Sequence, residues 1–225
     1  VFYVTNGVQM WHYHYAQNFL RGLDSVADVS VDVYYIEDDD EAEFQGSRTA
    51  SPLATAITGS RVLDVVATLW YHLRFLLHLA VRRPDVVHFN TEFRNQYHTY
   101  GLTLLAKLAG ARVVRTVHEI TSERLGDISE YERQIAYRNL RAADHLIVHS
   151  DAVVEELRDA GVKTSATVLP HGNYLFFREY LNPDADPPLP TDGKPVVLFF
   201  GPKKHKGIKV FADALMEVEE SFTIW

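Results

Sequence analysis

Pro84-Asp85-Val86-Val87-His88-Phe89-Asn90 is a helix stop followed at once by a short apolar run. Ala109-Gly110-Ala111-Arg112-Val113-Val114-Arg115-Thr116-Val117-His118-Glu119 repeats that grammar, a helix end and then a β-branched strand. Between the two, Tyr97–Leu108 carries helical apolar spacing. A strand, a helix and a second strand of this kind make a β-α-β unit. Its strands read as near-continuous apolar runs because a parallel sheet is covered on both faces. The fold class expected is therefore α/β, a parallel sheet with helices on both faces.

The pattern extends in both directions. Strands are expected at Val1–Thr5, Val29–Ile36, Val86–Asn90, Arg112–Thr116, His145–His149 and Ala166–Leu169. Helices are expected at His14–Leu23, Arg61–Arg82, Tyr97–Leu108, Ser129–Ala142 and Ala152–Ala160. Pro84-Asp85 stops the long helix, Ala109-Gly110-Ala111 ends the next, and Ser150-Asp151 offers an N-cap. Glu37–Glu41 is a charge run that reads as a solvated loop.

Asn182-Pro183-Asp184-Ala185-Asp186-Pro187-Pro188-Leu189-Pro190 continues neither a helix nor a central strand. It marks a linker over residues 181–194 between a first domain, residues 1–180, and the start of a second, residues 195–225. Pro195–Gly201 reads as a new buried strand and Ile208–Val218 as its helix, and Ser221–Trp225 reads as a strand cut short. The chain begins on apolar Val1-Phe2-Tyr3-Val4 without a basic leader and is read as a fragment.

At 225 residues and 47% hydrophobic content the chain can form one large α/β domain or one domain and part of another. A net charge of −8 argues against nucleic-acid binding, which needs a basic surface. The absence of cysteine excludes disulfides, thiolate metal sites and a cysteine nucleophile. It also fits a reducing compartment, and the cytoplasm is the expected location. Asp64, His72, Arg74 and His78 interrupt the apolar stretch Val62–Val81, so it reads as a buried helix rather than a membrane span.

In an open parallel sheet, ligands bind beyond the carboxyl ends of the strands. The first strand ends in Thr5-Asn6-Gly7, where glycine lets backbone amides approach an anion or a sugar hydroxyl. The third runs into Asn90-Thr91-Glu92 and the fourth into Thr116-Val117-His118-Glu119, an imidazole with a neighbouring carboxylate at a strand tip. The fifth ends in His149-Ser150-Asp151. In the second domain, Gly201-Pro202-Lys203-Lys204-His205-Lys206-Gly207 concentrates three of the chain's seven lysines at a strand-to-helix turn, a composition suited to a diphosphate.

Eleven histidines raise the question of a metal. His12 and His14 would point apart in a helix, and His145 and His149 would lie about 13 Å apart along a strand, too far for one ion. No metal site is expected. Serine-hydrolase and P-loop patterns are absent.

Taken in order, five stretches resemble glycosyltransferase family 4, the retaining enzymes of the GT-B fold. They are Pro84–Asn90, Leu105–Glu119, Ala143–Ser150, Val168–Asn173, and Leu198–Gly201 with Lys206-Gly207. The resemblance implies two Rossmann-like domains, acceptor mainly on the first and a nucleotide-sugar donor mainly on the second, the second being incomplete here. It implies catalysis by His118, which would bond the donor sugar without becoming a covalent nucleophile. Gly201, Lys203 and Lys206 would hold the donor diphosphate in place of a metal, and Asn6 and Gly7 would approach the phosphates or acceptor. Asn90, Glu92, Glu119 and Ser150 would line the acceptor-side cleft.

The implied partners are a nucleotide-sugar and a glycan, lipid-linked or small-molecule acceptor, with no cofactor beyond the donor. Enzymes of this kind often act on lipid-linked or cell-envelope glycans, which implies a place at the inner face of a membrane, and Trp70, Tyr71 and Phe75 on Arg61–Arg82 offer a peripheral contact. The chain departs from the family pattern in three places. One glycine stands where the first loop usually has two, Pro202 follows Gly201 where an arginine is common, and the donor-motif glutamates would fall after residue 225. This stretch is therefore expected to be inactive alone. The alternatives are a nucleotide-sugar epimerase of the same architecture and a non-catalytic sugar- or partner-binding module.

Overall fold

The computed structural model describes residues 1–6, 10–26, 28–36, 50–54, 61–90, 96–118, 129–171, 196–197, 208–217 and 223–224. The chain divides into two compact units, Val1–Leu175 and Phe176–Trp225.

In the first unit, seven strands form one sheet: β1 (Phe2–Asn6), β2 (Asp32–Ile36), β3 (Ala50–Ala54), β4 (Val86–Phe89), β5 (Arg112–Val117), β6 (His145–Val148) and β7 (Ala166–Val168). Their order is β3-β2-β1-β4-β5-β6-β7, and every pairing is parallel. The helices are α1 (Met10–Asp24), α2 (Arg61–Arg82), α3 (Gln96–Leu108), α4 (Glu130–Ala142) and α5 (Asp151–Asp159). This is the expected Rossmann-like architecture, with one strand more than the sequence reading drew.

The additional strand is β3, whose pairing shifts register between Tyr35 and Ile36. It carries Pro52, and a proline inside a short run argues against a central strand. β3 lies at the edge of the sheet, where proline is admitted.

Alternate residues of β1 enter two different cores, as a sheet covered on both faces requires. Phe2 and Val4 join Tyr71, Phe75 and Leu79 of α2 and Leu102 and Ala106 of α3. Tyr3 joins Val33 of β2 and Ala16 and Leu20 of α1 on the other face. Tyr71, Phe75 and Leu79 recur every four residues, which puts them in one stripe along α2. Full burial of each stabilises the fold by roughly 1.5–3 kcal/mol. Tyr71 and Phe75, considered above for membrane contact, are therefore core residues. Trp70 is 55% exposed, and Val62, Val66, Leu69, Leu73 and Leu77 are exposed with it. Among the described residues no helix is long and apolar enough to cross a membrane.

Helix ends follow the sequence cues closely. Ser129 caps α4 through a reciprocal box with Glu132, whose carboxylate accepts from the Ser129 backbone N–H at 2.9 Å. Gly110 takes a positive φ of 85° as α3 ends, a conformation that glycine adopts without strain. Ser150 stands at the N-cap of α5, but its side chain makes no capping hydrogen bond. Asp144 ties two layers together. It accepts from Lys107 of α3 at 2.6 Å and from the Val113 backbone N–H of β5 at 2.7 Å. Partial burial of Asp144 opposes ionisation, but these two bonds prevail and hold its carboxyl below the usual range.

The second unit contains β8 (Val196–Val197), α6 (Ile208–Leu215) and β9 (Thr223–Ile224). β8 and β9 pair in parallel, a β-α-β arrangement. α6 ends three residues before the expected Val218. The linker at 181–194 and the Glu37–Glu41 run lie outside the described residues.

Candidate functional site

Topology selects the place to look. From β1 the chain proceeds outward to β2 and β3, then returns to β4 on the opposite side of β1. Successive connections leave β1 and β4 in opposite directions, and the crevice at such a reversal is where open α/β sheets bind ligands. Asn6 closes β1, paired with Ile36. Asn90 directly follows β4 and extends the ladder, its N–H donating to Val4 O at 2.8 Å. The crevice is thus flanked by two residues that the sequence reading had selected.

Asn90 is wholly buried. Its backbone carbonyl and its Oδ1 both accept from His118 Nε2, at 3.0 and 3.2 Å. Asn90 therefore holds the imidazole at the tip of β5 from beneath. His118 is half-buried, and its other nitrogen, Nδ1, faces His149 Nε2 at 3.2 Å. His149 follows β6 as His118 follows β5, and its Nδ1 donates to Leu169 O at 2.8 Å. The Leu169 N–H in turn donates to Val148 O, so this support belongs to the sheet ladder.

A third imidazole completes the group. His171, after β7, stacks on His149 with ring centroids 3.9 Å apart. Nitrogens of His118, His149 and His171 all lie within 4.8 Å of one another. The buried ring of Tyr15, from α1, meets all three edge-on at centroid distances of 4.9, 5.1 and 5.5 Å. Partial burial, and after it the neighbouring His149, hold His171 below the ordinary histidine range. The result is a surface of imidazole nitrogens able to accept or donate to hydroxyls, carry protons or bind a cation.

A fourth imidazole lies deeper. His88, in β4, is buried between the rings of Tyr3 and Phe19 and shares a 2.8 Å hydrogen bond with Thr116 Oγ1. Burial lowers its pKa to about 3, so it is neutral and structural.

Of the residues proposed from the sequence, His118 and Asn90 are brought into direct contact. Ser150 is exposed beside His149 in the chain. Gly7, Glu92, Glu119, Gly201, Lys203 and Lys206 lie outside the described residues. His171 and Tyr15 were not among the sequence candidates, and His149 was weighed only with His145, as a metal pair too far apart for one ion. A sequence signal did exist: His118, His149 and His171 each stand just beyond the end of a strand. It becomes meaningful only once those three strands are known to be adjacent. His12 and His14, weighed as a metal pair, fall within α1.

Comparison with known structures gives the same architecture at low identity. HepE from Anabaena in complex with UDP and glucose matches 99% of this chain and 59% of its own, with a TM-score of 0.65 and 14% identity. A UDP-N-acetylglucosamine 2-epimerase matches 97% of this chain and 60% of its own, with a TM-score of 0.63 and 12% identity. The lipopolysaccharide outer core galactosyltransferase WaaB in its apo form matches 99% and 59%, with a TM-score of 0.60 and 14% identity. The chain thus spans about three fifths of the length of the structures it matches. No curated protein sequence matches it. The sequence profile of Glycosyltransferase Family 4 matches residues 14–173, from α1 through the three strand-tip histidines, and the chain belongs to that family.

Proposed function

We propose that the protein of which this chain is part transfers a sugar from a nucleoside-diphosphate donor to a glycan, lipid-linked or small-molecule acceptor. Transfer would proceed with retention of configuration and would not require a metal ion. The observation that carries the reading is the family match over residues 14–173, which includes His118, the imidazole that Asn90 supports at a strand tip. A rigidly held imidazole at the mouth of the crevice can bond a donor-sugar hydroxyl without reorganisation as charge develops. In the structure described here Nδ1 faces His149, so a sugar hydroxyl donating to Nδ1 takes the place of that neighbour.

The remaining roles are assigned by the same reading. Gly201, Lys203 and Lys206 neutralise the departing diphosphate, Asn6 and Gly7 approach the phosphates or acceptor, and Glu92, Glu119 and Ser150 face the acceptor. The expected setting is cytoplasmic, at the inner face of a membrane. The exposed apolar face of α2, with Leu69 and Trp70 at 65% and 55% exposure, supports peripheral contact with a lipid-linked acceptor.

The test is nucleotide-sugar turnover by the full-length protein, wild type beside His118→Ala and His118→Gln, with a panel of UDP-, GDP- and ADP-sugars. Release of nucleoside diphosphate that depends on acceptor and falls roughly 100-fold or more in both variants supports the reading. Release unaffected by either variant refutes the role of His118, and no release with any donor favours a binding module. The fold-level match to a UDP-N-acetylglucosamine 2-epimerase gives the epimerase reading its support. That reading predicts acceptor-independent conversion of the donor into its epimer.

A further inference from the structure

The hydrogen bonds around His118 and His149 dictate where their protons sit. Backbone carbonyls only accept, so His118 Nε2, bonded to Asn90 O, carries a proton, and so does His149 Nδ1, bonded to Leu169 O. In neutral rings the remaining nitrogens, His118 Nδ1 and His149 Nε2, then both present lone pairs. These are the two atoms that face each other at 3.2 Å. Two lone pairs at that distance repel, and a positive centre between or beside them turns the repulsion into binding.

Two features favour a metal ion as that centre. Two nitrogens bound to one tetrahedral ion at about 2.0–2.1 Å are roughly 3.3 Å apart, which is close to the observed spacing. Metal-bound histidines also characteristically donate their other N–H to a carbonyl, which fixes tautomer and ring orientation, and both rings already do so. His171 supplies a third nitrogen within 4.8 Å of the others. The residue is partly exposed and its ring stacks on His149, so binding the ion would call for a rotation about its own side-chain bonds. Tyr15 backs the group along one side.

We propose that His118, His149 and His171 form a binding site for a divalent transition metal such as Zn²⁺, with its fourth position left to water or another oxygen ligand. The ligands come from the ends of three adjacent strands, β5, β6 and β7, so the ion would tie that edge of the sheet together. An ion there occupies His118 Nδ1. On the transferase reading it competes with the donor sugar and is not a cofactor. Metal binding itself does not depend on that reading, so the metal titration and the turnover assay can fail separately.

The experiment uses the full-length protein, stripped with a chelator and dialysed, titrated with Zn²⁺ by calorimetry and with Co²⁺ by visible absorption. Expected are one ion per chain at this site and intense d–d bands of four-coordinate Co²⁺. Affinity should fall by more than about 100-fold in His149→Ala and in His171→Ala, beyond the loss that follows removal of a supporting hydrogen bond. His145→Ala serves as the control, because His145 is half-buried and bonds Thr167 instead, and its affinity should be unchanged. Circular dichroism checks each fold, and His149→Gln replaces His149→Ala if the latter does not fold. No stoichiometric binding, or binding that survives both His149→Ala and His171→Ala, overturns the site and leaves the pair to share a proton.

Discussion

Acidification should destabilise the protein through one buried imidazole, His88. The ring is 3% exposed, lies edge-on to Tyr3 and Phe19 at 5.0 and 4.8 Å, and shares its Nε2 hydrogen bond with Thr116. Burial disfavours the imidazolium and lowers the pKa from 6.5 to about 3. Between those values the unfolded chain binds a proton that the native state refuses. Stability contributed by the neutral ring is therefore complete above about 6.5 and declines as pH falls toward 3. The slope is about 1.4 kcal/mol per pH unit, so at about pH 5 the loss is about 2 kcal/mol.

Other groups titrate over the same range, so the measurement needs a variant that removes only His88. His88→Phe retains the aromatic packing, cannot titrate, and leaves the Thr116 hydroxyl unpaired at a pH-independent cost of about 1–3 kcal/mol. Urea unfolding of both proteins at about pH 8 and pH 5 gives the comparison, provided the m-values agree. The wild type should lose about 2 kcal/mol more than His88→Phe between the two conditions. Parallel losses would refute the claim that His88 is held neutral by burial.

Two further outcomes are expected. Gly110→Ala adds a Cβ that meets no atom within 4 Å, so its cost is that of placing alanine at φ 85°, about 1–2 kcal/mol. A urea midpoint that stays level or rises would contradict this account. Trp70→Glu, on the exposed face of α2, should abolish co-sedimentation of the full-length protein with anionic vesicles while leaving its unfolding free energy within about 0.5 kcal/mol of the wild type. Equal sedimentation of variant and wild type would remove α2 from the proposed membrane contact.

Elements with a local physical cause were readable residue by residue. α2 spans Arg61–Arg82 as expected, because its apolar spacing is long and Pro84 stops it. Gly110 ended α3 because αL backbone favours glycine. β3 escaped notice because Pro52 is permitted only by its edge position, which is a property of the sheet and not of the segment. The Ser150 side chain makes no cap bond although the residue stands at the cap position, so residue type identified the place and not the interaction.

The site divides along the same line. His118 was legible because a histidine at the tip of a parallel strand is conspicuous on position alone, and family resemblance assigned it a role. Its contacts were not legible, although Asn90 was itself a candidate. Asn90, His149 and His171 stand 28, 31 and 53 positions away along the chain, and their meeting with His118 depends on strand order. The sequence by itself determined the alternation of strands and helices, because periodicity and capping act over a few residues. Only the tertiary structure decided that β5, β6 and β7 lie side by side and bring three imidazoles together, because sheet order is set by packing between segments distant in the chain.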